Sequence, residues 1–162
     1  MSQTFEVSLE KESLVFSSAH FITFSGNVCE NLHGHNYRCK CRVAGTLDEN
    51  GYVIDFIALR DSLQKIVQQL DHRVLLPTEH QAISVKEQEN EVVARFEEKR
   101  WVFPAEDCVL LPIANTTAEL LALWIGQQLL DRLETKTKGT IEKIVVSVDE
   151  NHGQWASAEL RV

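Results

Sequence analysis

Three features are missing from this chain of 162 residues: a basic excess, a Cys-x-x-Cys pair and a long uncharged apolar run. Lysine and arginine number 16 against 24 aspartates and glutamates, a net charge of −8. The chain therefore has no general field for nucleic acid or an anionic membrane surface, and any phosphate must be held locally. No segment approaches the roughly 18 apolar residues of a membrane span, and residues 1–6 show neither the basic nor the apolar part of a leader. The expectation is a cytoplasmic protein with no nucleic-acid and no membrane partner. The four cysteines, Cys29, Cys39, Cys41 and Cys108, include no Cys-x-x-Cys and make no disulfide framework at this length. Internal repeats and low-complexity stretches are absent too, and the length suits one domain over 1–162.

What is present is a sequence of alternating and helical patterns. Residues 4–20 begin as a strand, with Phe5, Val7 and Leu9 opposite Glu6, Ser8 and Glu10. Residues 36–47 repeat the alternation, Tyr37, Cys39, Cys41 and Val43 on one face and Arg38, Lys40 and Arg42 on the other, and Asp48-Glu49-Asn50-Gly51 makes a turn. The two runs predict a long hairpin, with Cys39 and Cys41 facing the core. Asp55 reads as the N-cap of a helix over 56–70, where Leu59, Leu63, Ile66, Val67 and Leu70 recur at helical spacing. A second helix opens at Thr116-Thr117-Ala118-Glu119, which has capping-box form, and runs to about Leu133. Residues 136–140 break it, and strands 141–149 and 155–162 close the chain around a polar turn. Between 77 and 112 the pattern shows only a strand pair, 91–96 and 100–103. Antiparallel strands interleaved with two helices predict an α+β domain with both helices on one sheet face.

The chemistry concentrates in Cys29-Glu30-Asn31-Leu32-His33-Gly34-His35. Two residues apart in an extended strand, His33 and His35 leave the same face and can converge on one ion, with Gly34 leaving room for it. Three imidazoles with an open fourth position form a catalytic zinc arrangement, and His20, at the end of the preceding strand, is the best third ligand. Among the cysteines only Cys29 has a chemical neighbourhood, and a nearby cation or metal lowers a thiol pKa enough to make it a base or nucleophile. Asp71-His72 follows the first helix, where a histidine also suits the negative end of the dipole.

The order of these motifs resembles the 6-pyruvoyltetrahydropterin synthase and 6-carboxytetrahydropterin synthase family. The motifs are His20 after a strand, Cys29-x3-His33-x-His35, Asp71-His72, Thr116-Thr117-Ala118-Glu119 and Glu150, and the likeness covers residues 16–76 and 115–150. It implies the tunnelling fold: an antiparallel four-stranded sheet backed by two helices, trimerising into a barrel, two trimers stacking as a homohexamer. It further implies Zn2+ held by His20, His33 and His35, Cys29 as catalytic base, and Asp71 and His72 as acid–base partners across a subunit boundary. Glu150 would anchor the pterin ring, and Thr117 would lie near it, although a helix cap explains Thr117 equally well. The substrate implied is 7,8-dihydroneopterin triphosphate, converted with loss of triphosphate to 6-carboxy-5,6,7,8-tetrahydropterin or 6-pyruvoyltetrahydropterin.

Two features depart from the compact pattern. The segment 77–112 is an insertion beside the expected pocket. Glu30 stands next to Cys29, and some relatives use a glutamate three residues before His-Gly-His to cleave the side chain to 6-hydroxymethyl-dihydropterin. A third reading is a zinc-stabilised pterin- or purine-binding module without chemistry.

Overall fold

The computed structural model describes residues 3–134 and 140–162, so most of the break expected at 136–140 lies outside the described residues. Strands β1 (Phe5–His20), β2 (Thr23–Phe24), β3 (Val28–Cys29) and β4 (His33–Gly45) lead to helix α1 (Phe56–Leu70). Strands β5 (Arg73–Pro77), β6 (Ser84–Gln88), β7 (Glu91–Phe96), β8 (Lys99–Pro104) and β9 (Cys108–Leu111) precede α2 (Ala118–Glu134). Strands β10 (Ile141–Asp149) and β11 (Trp155–Arg161) end the chain.

The main sheet has the order β11-β10-β4-β1-β5-β9. Its first four strands are the expected antiparallel set, and β5 and β9 extend it with two parallel pairings. Parallel neighbours require a crossover connection, and the one between β5 and β9 is the inserted segment. That segment folds as a separate three-stranded antiparallel sheet, β6-β7-β8, one strand more than the pattern predicted. β6 escaped notice because Ser84-Val85-Lys86-Glu87-Gln88 has a single apolar residue to alternate.

Both helices pack against the main sheet and each other. Asp55 caps α1, its side chain accepting from the Ile57 N–H, and Leu59, Leu63, Ile66, Val67 and Leu70 are all buried. Truncating one such leucine to alanine costs about 2–5 kcal/mol. In α2 the cap is Thr117, whose hydroxyl accepts from the Leu120 N–H at 3.4 Å. The third helical position is therefore Leu120, and the predicted box between Thr116 and Glu119 is one residue out of register. Cys39 and Cys41 are buried in the main core as expected, while Phe21, Leu76, Ile83, Val92, Ala94 and Phe96 form a second core beneath the inserted sheet.

The basic face of β4 is spent inside the sheet. Arg38 pairs with buried Asp149, Lys40 lies 3.9 Å from the centre of the Trp155 ring, and Arg42 contacts Glu6 at 3.2 Å.

Candidate active site

Strand pairing brings the three histidines together. In the β1–β4 ladder His20 is directly opposite His33, so the last residue of one strand faces the first residue of its partner. β4 starts at His33, three residues before the predicted start, and His35 follows on the same face. Ring centroids are 4.8 Å apart for His20–His33 and His33–His35, and 5.3 Å for His20–His35. Glu150 joins them from the end of β10, and one ligand-capable atom from each of the four residues lies within 4.8 Å of the others. Gly34 has a different reason from the one inferred. A Cβ there would meet the Ser18 carbonyl oxygen at 3.2 Å, so the absent side chain lets β4 lie close on β1 and makes no room for an ion.

The hydrogen bonds aim the imidazoles inward. His20 Nδ1 lies 2.9 Å from the Thr116 carbonyl oxygen and His33 Nδ1 lies 2.8 Å from that of Asn31. A carbonyl only accepts, so each Nδ1 carries the proton and each Nε2 keeps a lone pair, the arrangement that outer contacts impose on metal-binding histidines. Burial depresses the His20 pKa to about 4, aided by His33 and His35 and opposed by the Thr116 bond, so this imidazole is neutral at ordinary pH. His35 Nε2 is buried and 3.0 Å from a Glu150 carboxylate oxygen, yet the geometry is not that of a hydrogen bond and the nitrogen has no hydrogen-bond partner among the described residues. A buried polar atom left so is costly, and a metal ion would satisfy it. Three imidazole nitrogens with one carboxylate fit zinc.

Sequence reasoning missed two supports of this cluster. Tyr37 continues the histidine face, and its buried hydroxyl lies 3.2 Å from both His20 ring nitrogens. Burial raises its pKa far above the ordinary tyrosine value, with Glu150 and Glu30 adding to the effect. The period-two series His33, His35, Tyr37 was its available signal. Thr116 is fully buried, fixes His20 through its carbonyl and donates its hydroxyl to the Phe21 carbonyl. Thr117, the expected pterin neighbour, has its hydroxyl in the helix cap.

The two candidate bases leave the chain on different sides. Glu30 reaches 3.8 Å from His33 Nε2, and that carboxylate oxygen is buried without a hydrogen-bond partner among the described residues. Cys29 instead packs against the second core, its sulfur 3.5 Å from the Glu30 carbonyl oxygen. Adjacent side chains on extended backbone alternate in this way. Burial raises the Cys29 pKa, Glu30 and Glu97 raise it further, and Lys99 counters them.

Asp71 ends α1 and accepts the Ser17 N–H at 2.8 Å; its other oxygen lies 2.9 Å from His72 Nδ1. His72 is 83% exposed and adopts φ +57°, a left-handed conformation that turns the chain from α1 into β5. Its N–H donates to the Ser17 carbonyl. His72 and His35 line the same groove of about 530 Å³, together with Ser18, Gly34 and Asn36. Of the histidine cluster only His35 reaches this groove, and His20, His33 and Glu150 are not part of its lining.

A family model described as 6-pyruvoyl tetrahydropterin synthase matches residues 8–161. The chain belongs to the 6-pyruvoyl tetrahydropterin synthase family. It is 35% identical over 144 residues to a putative 6-carboxy-5,6,7,8-tetrahydropterin synthase of Methanocaldococcus jannaschii, covering 88% of each chain. Among solved structures it resembles a Plasmodium vivax 6-pyruvoyltetrahydropterin synthase in which a catalytic glutamate is changed to alanine. The TM-score is 0.91 at 31% identity, over 99% of this chain and 100% of the other. The Plasmodium falciparum protein of the same name gives 0.89 at 32%, with the same coverage. The insertion-bearing fold is therefore shared along its whole length with the Plasmodium synthases, and the α+β tunnelling fold is that of the family.

Proposed function

We propose that the protein is a zinc-dependent lyase that converts 7,8-dihydroneopterin triphosphate to 6-carboxy-5,6,7,8-tetrahydropterin or 6-pyruvoyltetrahydropterin with loss of triphosphate. The observation that carries this reading is the cluster of three inward-facing imidazoles with a partnerless His35 Nε2, in a chain belonging to a family of pterin synthases. His20, His33 and His35 would hold the metal, which supplies Lewis-acid polarisation of the substrate's side-chain oxygens and so acidifies the adjacent C–H.

The protein's own groups then move protons. In this reading Cys29 takes a proton from the pterin side chain, and His72, oriented by Asp71, exchanges protons on the opposite side. Elimination of triphosphate and internal redox tautomerisation give the 6-pyruvoyl product; addition of water and cleavage of the bond between the two side-chain carbonyl carbons, with loss of acetaldehyde, gives the 6-carboxy product. Glu150 anchors the pterin ring, for which a two-oxygen acceptor facing two ring N–H groups is suited. Completion by neighbouring subunits of a homohexamer is part of the proposal. It is supported by exposed apolar residues, Phe24 and Val28 at the ribbon tip and Leu32 just before β4.

A second reading has a specific observation behind it. Glu30, not Cys29, faces the histidines, and in the Plasmodium vivax synthase a glutamate is a catalytic residue. With Glu30 as base the product is 6-hydroxymethyl-dihydropterin. The test is to incubate zinc-loaded protein with dihydroneopterin triphosphate and identify the products by mass spectrometry. Formation of 6-carboxy- or 6-pyruvoyl-tetrahydropterin supports the first reading, and 6-hydroxymethyl-dihydropterin supports the second. Pterin binding without turnover would leave only a non-catalytic module.

A further inference from the structure

The segment between β5 and β9 touches residues 21–30, which carry Cys29 and Glu30, at three places. This segment is a small ribbon, β2 paired with β3, tied at its base by the Glu30 N–H donating to the Ile22 carbonyl at 2.9 Å. Trp101 of β8 stacks on Phe21, the residue after His20, with centroids 4.2 Å apart and planes 17° from parallel. His80, in the connection between β5 and β6, accepts the Ala82 and Ile83 N–H groups at its Nδ1. Its Nε2 therefore carries the proton and donates to the Thr23 hydroxyl at 2.7 Å. At the β7–β8 turn, Lys99 Nζ donates to the Cys29 carbonyl at 3.2 Å.

The third contact falls at the residue that matters. The Cys29 carbonyl belongs to the peptide linking the two candidate bases, and the orientation of that peptide decides which side each side chain takes. We propose that Lys99 is a positioning residue: by holding the Cys29 carbonyl it fixes the extended backbone that turns Glu30 toward the histidines and Cys29 against the inserted sheet. The insertion is in this view part of the active-site scaffold, and the lysine on its turn sets the balance between the two bases. This rests on the reading that the ribbon carries the catalytic base.

The charges around Cys29 agree with such a role. Lys99 is the cation acting on its sulfur, against Glu30 from the same segment and Glu97 from the same turn as Lys99. Losing Lys99 would remove both the tether and the countercharge, and these two effects are separable.

The experiment is iodoacetamide alkylation of Cys29 in the zinc-loaded full chain from about pH 6 to about pH 10, followed by peptide mass spectrometry. Wild type, Lys99→Met and Lys99→Arg are compared. Burial holds the Cys29 pKa above the ordinary thiol value, so the rate–pH curve is fitted to a single ionisation: its limiting rate, the plateau, reads access and orientation, and its midpoint reads charge. In Lys99→Met the plateau rate should change about threefold and the midpoint should rise, with Lys99→Arg restoring both, a scale set by a single exposed charged hydrogen bond. The ratio of Cys29- to Glu30-dependent pterin products should shift in parallel. An unchanged plateau overturns the proposal even if the midpoint moves, because Lys99 would then act through charge alone. If the wild type makes no pterin product, the functional reading fails while the alkylation plateau still decides the role of Lys99.

Discussion

The histidine cluster and the base-bearing ribbon sit side by side yet are built by opposite means. His20 and His33 are fixed by strand register and by backbone carbonyls, which substitution of a neighbouring side chain leaves in place. The ribbon has two short strands, and side chains from segment 77–112 hold it and its base: Trp101 on Phe21, His80 on Thr23 and Lys99 on the Cys29 carbonyl. The histidine cluster thus belongs to the main sheet, and the setting of the two candidate bases to the segment 77–112.

Breaking the cluster should have the largest effect. His33→Ala and His35→Ala each remove an imidazole from a three-histidine site, and bound zinc measured by elemental analysis should fall below one tenth of wild type, with kcat/KM reduced by about 10³-fold or more. Thermal unfolding of the metal-free proteins should change little, because His33 and His35 are only partly buried, whereas added zinc should raise the melting temperature of wild type and not of the variants. Retention of stoichiometric zinc in both variants would overturn the assignment.

Separating the bases comes next. Replacement of a true general base lowers kcat by about 10²–10⁴-fold, so Cys29→Ala and Glu30→Gln, assayed separately for each product, assign the base for that product. If Glu30→Gln abolishes the hydroxymethyl product and spares the others, both bases work in one chain. If it leaves every product unchanged, the orphaned Glu30 oxygen has no catalytic meaning.

A smaller effect is expected at the support of the cluster. Tyr37→Phe removes the hydroxyl near both His20 nitrogens, and zinc affinity should fall about 10-fold, the low end for outer contacts of metal ligands. Glu150→Gln sharpens the same comparison. If Glu150 is a pterin anchor, zinc content holds and KM rises; if it is a fourth ligand, zinc is lost with it. Competitive chelator titration reads the first quantity and steady-state kinetics the second.

Legibility in the sequence followed the same divide. His20, His33 and His35 could be read because period-two alternation and a strand partner suffice to bring them together. Asp55 and the buried face of α1 were equally plain. Glu30 pointing inward while Cys29 points away could not be read, since alternation says only that neighbours oppose each other and not which one faces the site. The contact made at the peptide between them comes from Lys99, distant in sequence. β5 and β9 were missed because five- and four-residue parallel strands show no alternation when they extend a sheet edge over a core. The Thr116–Thr117 pair misled by one position: both are capping residues, and the helix chose the second because the first is drawn to His20 and Phe21.

The smallest effect belongs to Asp71, which joins the two kinds of construction in one residue. One carboxylate oxygen is fixed by the Ser17 N–H, and the other meets an exposed histidine. The Ser17 bond is the main cause holding the Asp71 pKa below the usual carboxylate value, with His72 assisting and burial opposing. A folded pKa below the unfolded one adds stability that is fully present above the ordinary carboxylate pKa, about 4, and is lost as pH falls through the lower folded value. Asp71→Asn should therefore flatten the acid side of the melting-temperature profile below about pH 4 and leave its shape above about pH 5 unchanged. The amide oxygen can still accept the Ser17 N–H, so the helix end should stay in place and the loss should be confined to the charge. If the variant instead shows a uniform drop in melting temperature at every pH, Asp71 acts as a neutral cap, and its pairing with His72 must be justified by catalysis alone.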